Sequence, residues 1–272
     1  MARFGEEFRF TLITNDPALA ARADAAGVDR IGVDIERLNK SGRQGHIASA
    51  RISDHELADL DRLAPAVHRA ALFARLNPLH DGSTKEVEAT LAHGARVLML
   101  PFFTTVDEVD GFARLVAGRA ETVLLLETTA AVVRLHDILA VPGIGEVMVG
   151  LNDLHLSAAV TNPFELVASD LMTMVSEAVR SRGLRFGFGG LARAGDHALP
   201  IPSDLVLAQH ARLGSTSAWL SRSFFGSAPS AIDFDLEMAR LRERLSFWAG
   251  QPPVELLSQR DALRRRLRSL DR

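Results

Sequence analysis

The strongest constraint on this chain is a repeating pair of patterns. Short apolar runs alternate with longer stretches whose apolar residues recur at helical spacing, and the alternation continues along almost the whole length. The apolar runs fall at residues 10–13, 30–34, 71–76, 96–100, 122–126, 146–151, 185–188 and 217–220. Helical patterns lie between them at 17–26, 54–63, 84–93, 106–117, 130–139, 163–181 and 202–213, and 234–247 can supply an eighth. This order predicts βαβ units around a parallel sheet. The runs 96–100 and 122–126 are nearly continuous apolar residues, as strands covered on both faces require. A doubly wound open sheet would give a similar pattern. The count of eight favours closure into an α/β fold of the (β/α)8 type, a TIM barrel with additional C-terminal helices. At 272 residues the chain fits one such domain and buries enough surface to fold without staples.

Local signals punctuate the pattern. Gly27, Gly94 and Gly183 each follow a helical stretch and suit the left-handed position after a helix end. Pro17, Pro163 and Pro202 stand where helices would start, and Asp54 is a candidate N-cap. The catalytic barrel is expected over 1–225. A helical extension follows over 226–272, broken at 250–253, with a basic face (Arg260, Arg264, Arg265, Arg266, Arg268) on its last segment. That extension is expected to pack on the barrel or on a neighbouring subunit.

Composition removes several classes of function. The chain has no cysteine, which excludes disulfides, zinc–thiolate sites and thiol nucleophiles. A net charge of −3 provides no electrostatic footprint for nucleic acid. Residues 1–10 lack the apolar core of a signal peptide, and no run approaches a membrane span of about 18 apolar residues. A cytoplasmic protein with no membrane partner is the expectation. Lysine occurs only at 40 and 85, the first in a basic loop and the second in a helical pattern. A Schiff-base mechanism, which needs a desolvated lysine on a strand, therefore has no good candidate.

Barrels of this class gather their chemistry at the C-terminal ends of the strands. The polar residues that end the apolar runs are Asp34 and Glu36, Arg75 and Asn77, Glu127, and Asn152 with Asp153. A carboxylate at the end of an apolar strand is costly unless it is paired or coordinates a cation. Two carboxylates from strands five and six, with an arginine across the barrel, would suit an oxygen-rich magnesium or manganese site. Structural roles are open for each: an ion pair for Glu127 or Arg75, an Asx turn for Asp153.

The stretch 124–157, LLLETTAAVVRLHDILAVPGIGEVMVGLNDLHLS, resembles the central signature of the HpcH/HpaI aldolase/citrate lyase β-subunit family. Ala74-Arg75-Leu76-Asn77 is similar to that family's R-[VI]-[NP] stretch, Gly32-Val33-Asp34-Ile35-Glu36 to its D-x-E segment, and Met99-Leu100-Pro101 to its strand-four end. The similarity spreads over roughly residues 10–225. It implies that Glu127 and Asp153 ligate a divalent metal, Mg²⁺ or Mn²⁺. It also implies that Arg75 binds a keto-acid carboxylate and steadies an enolate. Asp34, Glu36 and Arg37 join Arg75 as candidate catalytic residues, and Asn77, Pro101, Gly150 and Asn152 as candidate substrate contacts.

Two positions depart from the family pattern. Arg37 stands where its aldolases carry a histidine, and Leu125 where a glutamine is frequent. The resemblance implies a metal-dependent lyase acting through the enolate of pyruvate or a related 2-keto acid, with an aldehyde or acyl co-substrate. A citrate-lyase-like acyl-thioester lyase or synthase is the alternative. A non-catalytic binding barrel is a further one, and a sugar-phosphate isomerase rests on fold analogy alone. Candidates for the general acid/base are His46, His80, His155 or a metal-bound water. The loop 37–51, with Arg37, Lys40, Arg43, His46 and Arg51, could receive an anionic second substrate, and Gly187–Gly190 is read as a turn after strand seven. The family habit of exchanging C-terminal helices implies a homo-oligomer: dimer, trimer or hexamer.

Overall fold

The computed structural model describes residues 4–38, 53–225 and 232–270. Eight parallel strands close into a barrel in sequence order. They are β1 Arg9–Ile13, β2 Arg30–Asp34, β3 Ala71–Arg75, β4 Val97–Leu100, β5 Glu121–Leu126, β6 Ile144–Val149, β7 Arg185–Leu191 and β8 Ser217–Leu220. Every strand read from the apolar runs is present, and β8 pairs back onto β1.

The differences lie at strand ends. β7 runs on to Leu191, so Gly187–Gly190 is part of a strand rather than a turn, and its register with β8 slips between Gly187 and Gly190. Glycine is required at this bulge: a Cβ on Gly187 would fall 2.1 Å from Ser217 Oγ, and Gly189 has φ +51°. β6 stops at Val149, and the next residues turn directly into the helix Leu151–Ser157 with Gly150 as its N-cap. Asp153 therefore sits in a first helical turn, not in an Asx turn after a strand.

The helices follow the expected pattern with two breaks that periodicity could not reveal. The stretch 163–181 is two helices, Pro163–Ala168 and Asp170–Ser181, because Ser169 adopts an extended conformation and its Oγ caps Met172 N. The stretch 130–139 is likewise two short helices, Thr129–Val133 and Leu135–Ile138. Asp54 caps nothing. The helix near it begins only at Asp59, whose carboxylate accepts from Glu56 N and Asn15 Nδ2. Gly27, Gly94 and Gly183 take φ of +81°, +86° and +73° after their helices, as expected.

Two apolar zones hold the fold together. One lies between the strands and the surrounding helices; the other fills the barrel itself, with Phe73, Val97, Met99, Val123, Leu125 and Met148. Below them a charged layer closes the N-terminal end. The buried Arg30 shares Nη2 between Glu121 Oε1 at 2.8 Å and Glu146 Oε2 at 2.7 Å, and Ser217 Oγ donates to Glu146 Oε1 at 2.6 Å. With one end filled, the open mouth is at the C-terminal ends of the strands.

The helix Phe234–Ala249 packs against Ser203–Leu213 and Pro17–Ala25 and so completes the ring as its eighth member. Arg242 fastens it, donating to the carbonyls of Gly5, Phe8 and Gly27. The last helix, Pro253–Leu270, lies outside that ring on Ser203–Leu213 and Pro163–Ala168, burying Leu263 and Leu267. Both C-terminal helices thus contact helices of the same chain's barrel.

Candidate active site

Asp34 and Arg75 are paired in register at the ends of β2 and β3. Arg75 donates from Nε to Asp34 Oδ1 at 2.9 Å and from Nη2 to Oδ2 at 2.6 Å. Its Nη1 lies 3.5 Å from Glu36 Oε2. Burial alone would lower the Arg75 pKa, but the Asp34 carboxylate, reinforced by Glu36 and Glu127, holds it above the ordinary arginine value. The guanidinium also lies over the Trp219 ring, 5.0 Å from its centroid. Asp34 is itself held: Oδ1 accepts from Glu36 N, Oδ2 from Ser53 Oγ, and its backbone N–H donates to His55 Nδ1.

Glu127 follows β5 directly and is almost fully buried. Its Oε1 accepts from Phe102 N at 3.0 Å. Phe102 follows the buried Pro101 at the end of β4 and holds φ at +50°, a conformation costly for a bulky side chain. That strain aims its N–H at the carboxylate. On the other side, Gly150 leaves room: a Cβ there would lie 2.5 Å from Glu127 Oε2. Gly150 N–H donates to Leu126 O, which brings the start of the helix Leu151–Ser157 beside Glu127. Asp153 is buried in the first turn of that helix, where the helix dipole favours a carboxylate. Ser157 Oγ accepts from Thr129 N, tying the end of this helix to the segment after Glu127. Thr128 adds a second tie, donating from Oγ1 to Phe103 O and accepting from Ala131 N.

This donor set fits a hard divalent cation. Glu127 and Asp153 offer oxygen only, and the missing Cβ at Gly150 is what gives the Glu127 carboxylate its seat. Among the described residues no group of three or more histidine, aspartate and glutamate side chains forms a complete cage.

The other candidates divide by what they touch. Asn77 Oδ1 accepts from the backbone N–H groups of Arg37 and Leu38, and its Nδ2 donates to Glu86 Oε1. It clamps the start of the β2 loop. Arg37 is exposed and its Nη2 donates to His55 O. Asn152 is exposed in the first turn of its helix. His155 directs Nδ1 to Leu151 O within its own helix, and His80 lies with Nε2 3.8 Å from Glu86 Oε2. Lys85 is exposed on the helix Ser83–Ala92. Lys40, Arg43, His46 and Arg51 lie outside the described residues.

Sequence reading missed Ser53, His55, Phe102 and Trp219. The first two follow the β2 loop at a distance that no periodicity links to Asp34. Phe102 acts through its backbone, and Trp219 looks like an ordinary strand residue.

Residues 10–186 match the family described as HpcH/HpaI aldolase/citrate lyase. No curated protein sequence matches the chain. Among solved structures, an HpcH/HpaI aldolase/citrate lyase family protein from Burkholderia cenocepacia J2315 superposes with a TM-score of 0.62 at 17% identity, covering 80% of this chain and 90% of that one. The citrate lyase β subunit from M. tuberculosis, complexed with oxaloacetate and magnesium, gives a TM-score of 0.60 at 16% identity, covering 89% and 98%. The citrate synthase SbnG gives 0.58 at 17% identity, covering 79% and 85%. At these identities the likeness is one of fold.

Proposed function

The chain belongs to the HpcH/HpaI aldolase/citrate lyase family, and on that footing we propose that it is a divalent-metal-dependent carbon–carbon lyase acting through the enolate of pyruvate or a related 2-keto acid. The observation that carries this reading is Arg75. Its guanidinium is locked at the end of β3 by Asp34, within electrostatic reach of Glu127, at the open mouth of the barrel.

In this reading Arg75 takes the keto-acid carboxylate and sets a fixed positive charge beside the oxygen that becomes the enolate oxygen. Asp34 holds the guanidinium in place, so that little order is lost when substrate docks. Glu127 and Asp153 would hold a magnesium or manganese ion, which when bound supplies Lewis acidity to the keto oxygen. The apolar layer of Phe73, Met99, Leu125 and Met148 under the site keeps water from below. Arg37 carries a permanent charge and has no acceptor, so it cannot replace a histidine in proton transfer. That step belongs to another group, with His46, His80 or a water as candidates. The co-substrate is an aldehyde or an acyl compound. A homo-oligomer is part of this reading through the family resemblance alone.

A second reading, a citrate-lyase-like lyase or synthase of acyl thioesters, is supported by the likeness to the citrate lyase β subunit, which covers 98% of that chain. Arg37 favours neither reading, because the family's aldolases carry a histidine there and its citrate-lyase-like members an acidic residue. Release of 2-keto acid from a panel of 4-hydroxy-2-keto acids and of 3-hydroxyacyl thioesters that carry a carboxylate on C3, with Mg²⁺, Mn²⁺ or EDTA, separates the two. Turnover of the keto acids supports the first reading. Turnover of thioesters alone replaces it with the second, and no turnover in either class counts against both.

A further inference from the structure

We propose that Trp219 is the positioning residue for Arg75: its indole face fixes the plane of the guanidinium, and its accessible edge forms a wall of the substrate pocket. The inference rests on the reading that Arg75 receives a keto-acid carboxylate.

Trp219 points into the barrel. Ser217, two residues earlier on β8, donates to Glu146 inside the barrel, and strand side chains alternate between faces. Trp219 also packs on the apolar cluster that fills the interior. Unlike its neighbours Ala218 and Leu220, it is only partly buried. Because the layer around Arg30, Glu121 and Glu146 closes the opposite end, its accessible part faces the catalytic mouth. Its register partner on β7 is Gly190, where a Cβ would lie 2.8 Å from Ser221 Cβ, so the chain after β8 packs against β7 beside it.

The geometry divides the hold on Arg75 between two partners. Asp34 takes Nε and Nη2 in the plane of the guanidinium, and the indole takes its face with Cζ 5.0 Å from the ring centroid. The Nη1 edge is left toward Glu36. Tryptophan gives the strongest cation–π contact of the aromatic residues, and desolvation strengthens it. The indole Nε1 is buried without a hydrogen-bond partner among the described residues, so ring contacts alone locate the side chain. Replacing it by phenylalanine therefore sacrifices no hydrogen bond and keeps an aromatic face.

The chain has two tryptophans, and the other is Trp248, which makes a clean optical test available. Trp248→Phe leaves Trp219 as the sole fluorophore without altering the site. Titration of this protein with Mg²⁺ and then pyruvate or oxaloacetate should change the Trp219 emission, with the midpoint that calorimetry gives for wild type. Trp219→Phe and Trp219→Leu should raise KM for the keto acid by roughly threefold and roughly tenfold or more, the range expected of a desolvated cation–π contact, with kcat changed less. Keto acid that binds by calorimetry without moving Trp219 fluorescence, together with an unchanged KM in Trp219→Phe, would overturn the inference and leave the proposed function standing. No keto-acid binding to wild type with any metal would overturn both.

Discussion

Asp34 and Arg75, adjacent in register on β2 and β3, close a two-point contact with Oδ1 to Nε at 2.9 Å and Oδ2 to Nη2 at 2.6 Å. The bidentate geometry fixes both the position and the plane of the guanidinium. Under the proposed function, this carboxylate sets where Arg75 meets the keto acid.

Asp34→Asn tests this directly. The amide keeps one acceptor and loses the charge and the fork. Catalytic efficiency should fall about a hundredfold, mostly through KM, and stability by up to roughly 3 kcal/mol, the lower end for breaking a buried pair. Steady-state kinetics and urea unfolding read the two effects separately. An unchanged KM would show that Arg75 holds its place without Asp34.

Gly150→Ala probes the seat of Glu127. The backbone at Gly150, with φ −81°, accepts alanine, but the new Cβ would lie 2.5 Å from Glu127 Oε2. The carboxylate must move. Metal affinity should fall about 10- to 100-fold, the usual cost of disturbing a ligand's support, with folding retained. Calorimetric titration with Mn²⁺ measures it.

Much of the barrel could be read from the chain because its strands are buried on both faces, which writes them as apolar runs such as 96–100 and 122–126. Two polar residues at strand ends stood out for the same reason: Glu127 and Arg75 interrupt apolar residues where an uncompensated charge would be expensive. What escaped the reading has a physical cause too. Phe102 contributes an N–H through an uncommon φ, and β7 continues through glycines that look like a turn. The break at Ser169 is a single residue between two stretches of the same helical period. Side-chain partners distant in sequence, such as Ser53 with Asp34 or Trp219 with Arg75, leave no periodic trace.

At the far end of the barrel, Arg30→Ala should destabilise without touching catalysis. The change leaves Glu121 and Glu146 without their shared cation in a site where Glu146 is fully buried. The expected loss is about 3–5 kcal/mol in denaturant unfolding. KM and kcat of the folded fraction should match wild type, because the layer of Phe73, Val123 and Met148 separates the two ends.

His210 gives the fold an acid limit. It is fully buried, stacked on Phe188 at 3.8 Å, with Nδ1 2.8 Å from Ser215 Oγ, and burial pushes its pKa down to about 3. In the unfolded chain the same imidazole titrates near 6.5. The unfolded state therefore gains its proton first, so this group costs stability as pH falls from about 6.5 toward 3, by about 1.4 kcal/mol per unit, and costs nothing above that window. Urea midpoints between pH 7 and 4.5 should drop more steeply for wild type than for His210→Phe. Parallel slopes would place the acid sensitivity elsewhere.

Proton NMR of the pyruvate methyl group in D₂O decides whether Arg75, Glu127 and Asp153 form a keto-acid enolate site, with Mg²⁺, Mn²⁺ or EDTA and with wild type beside Glu127→Ala. Methyl deuteration should need the metal and disappear in the variant. Exchange that survives EDTA or the loss of Glu127, or no exchange with any metal, would rule such a site out.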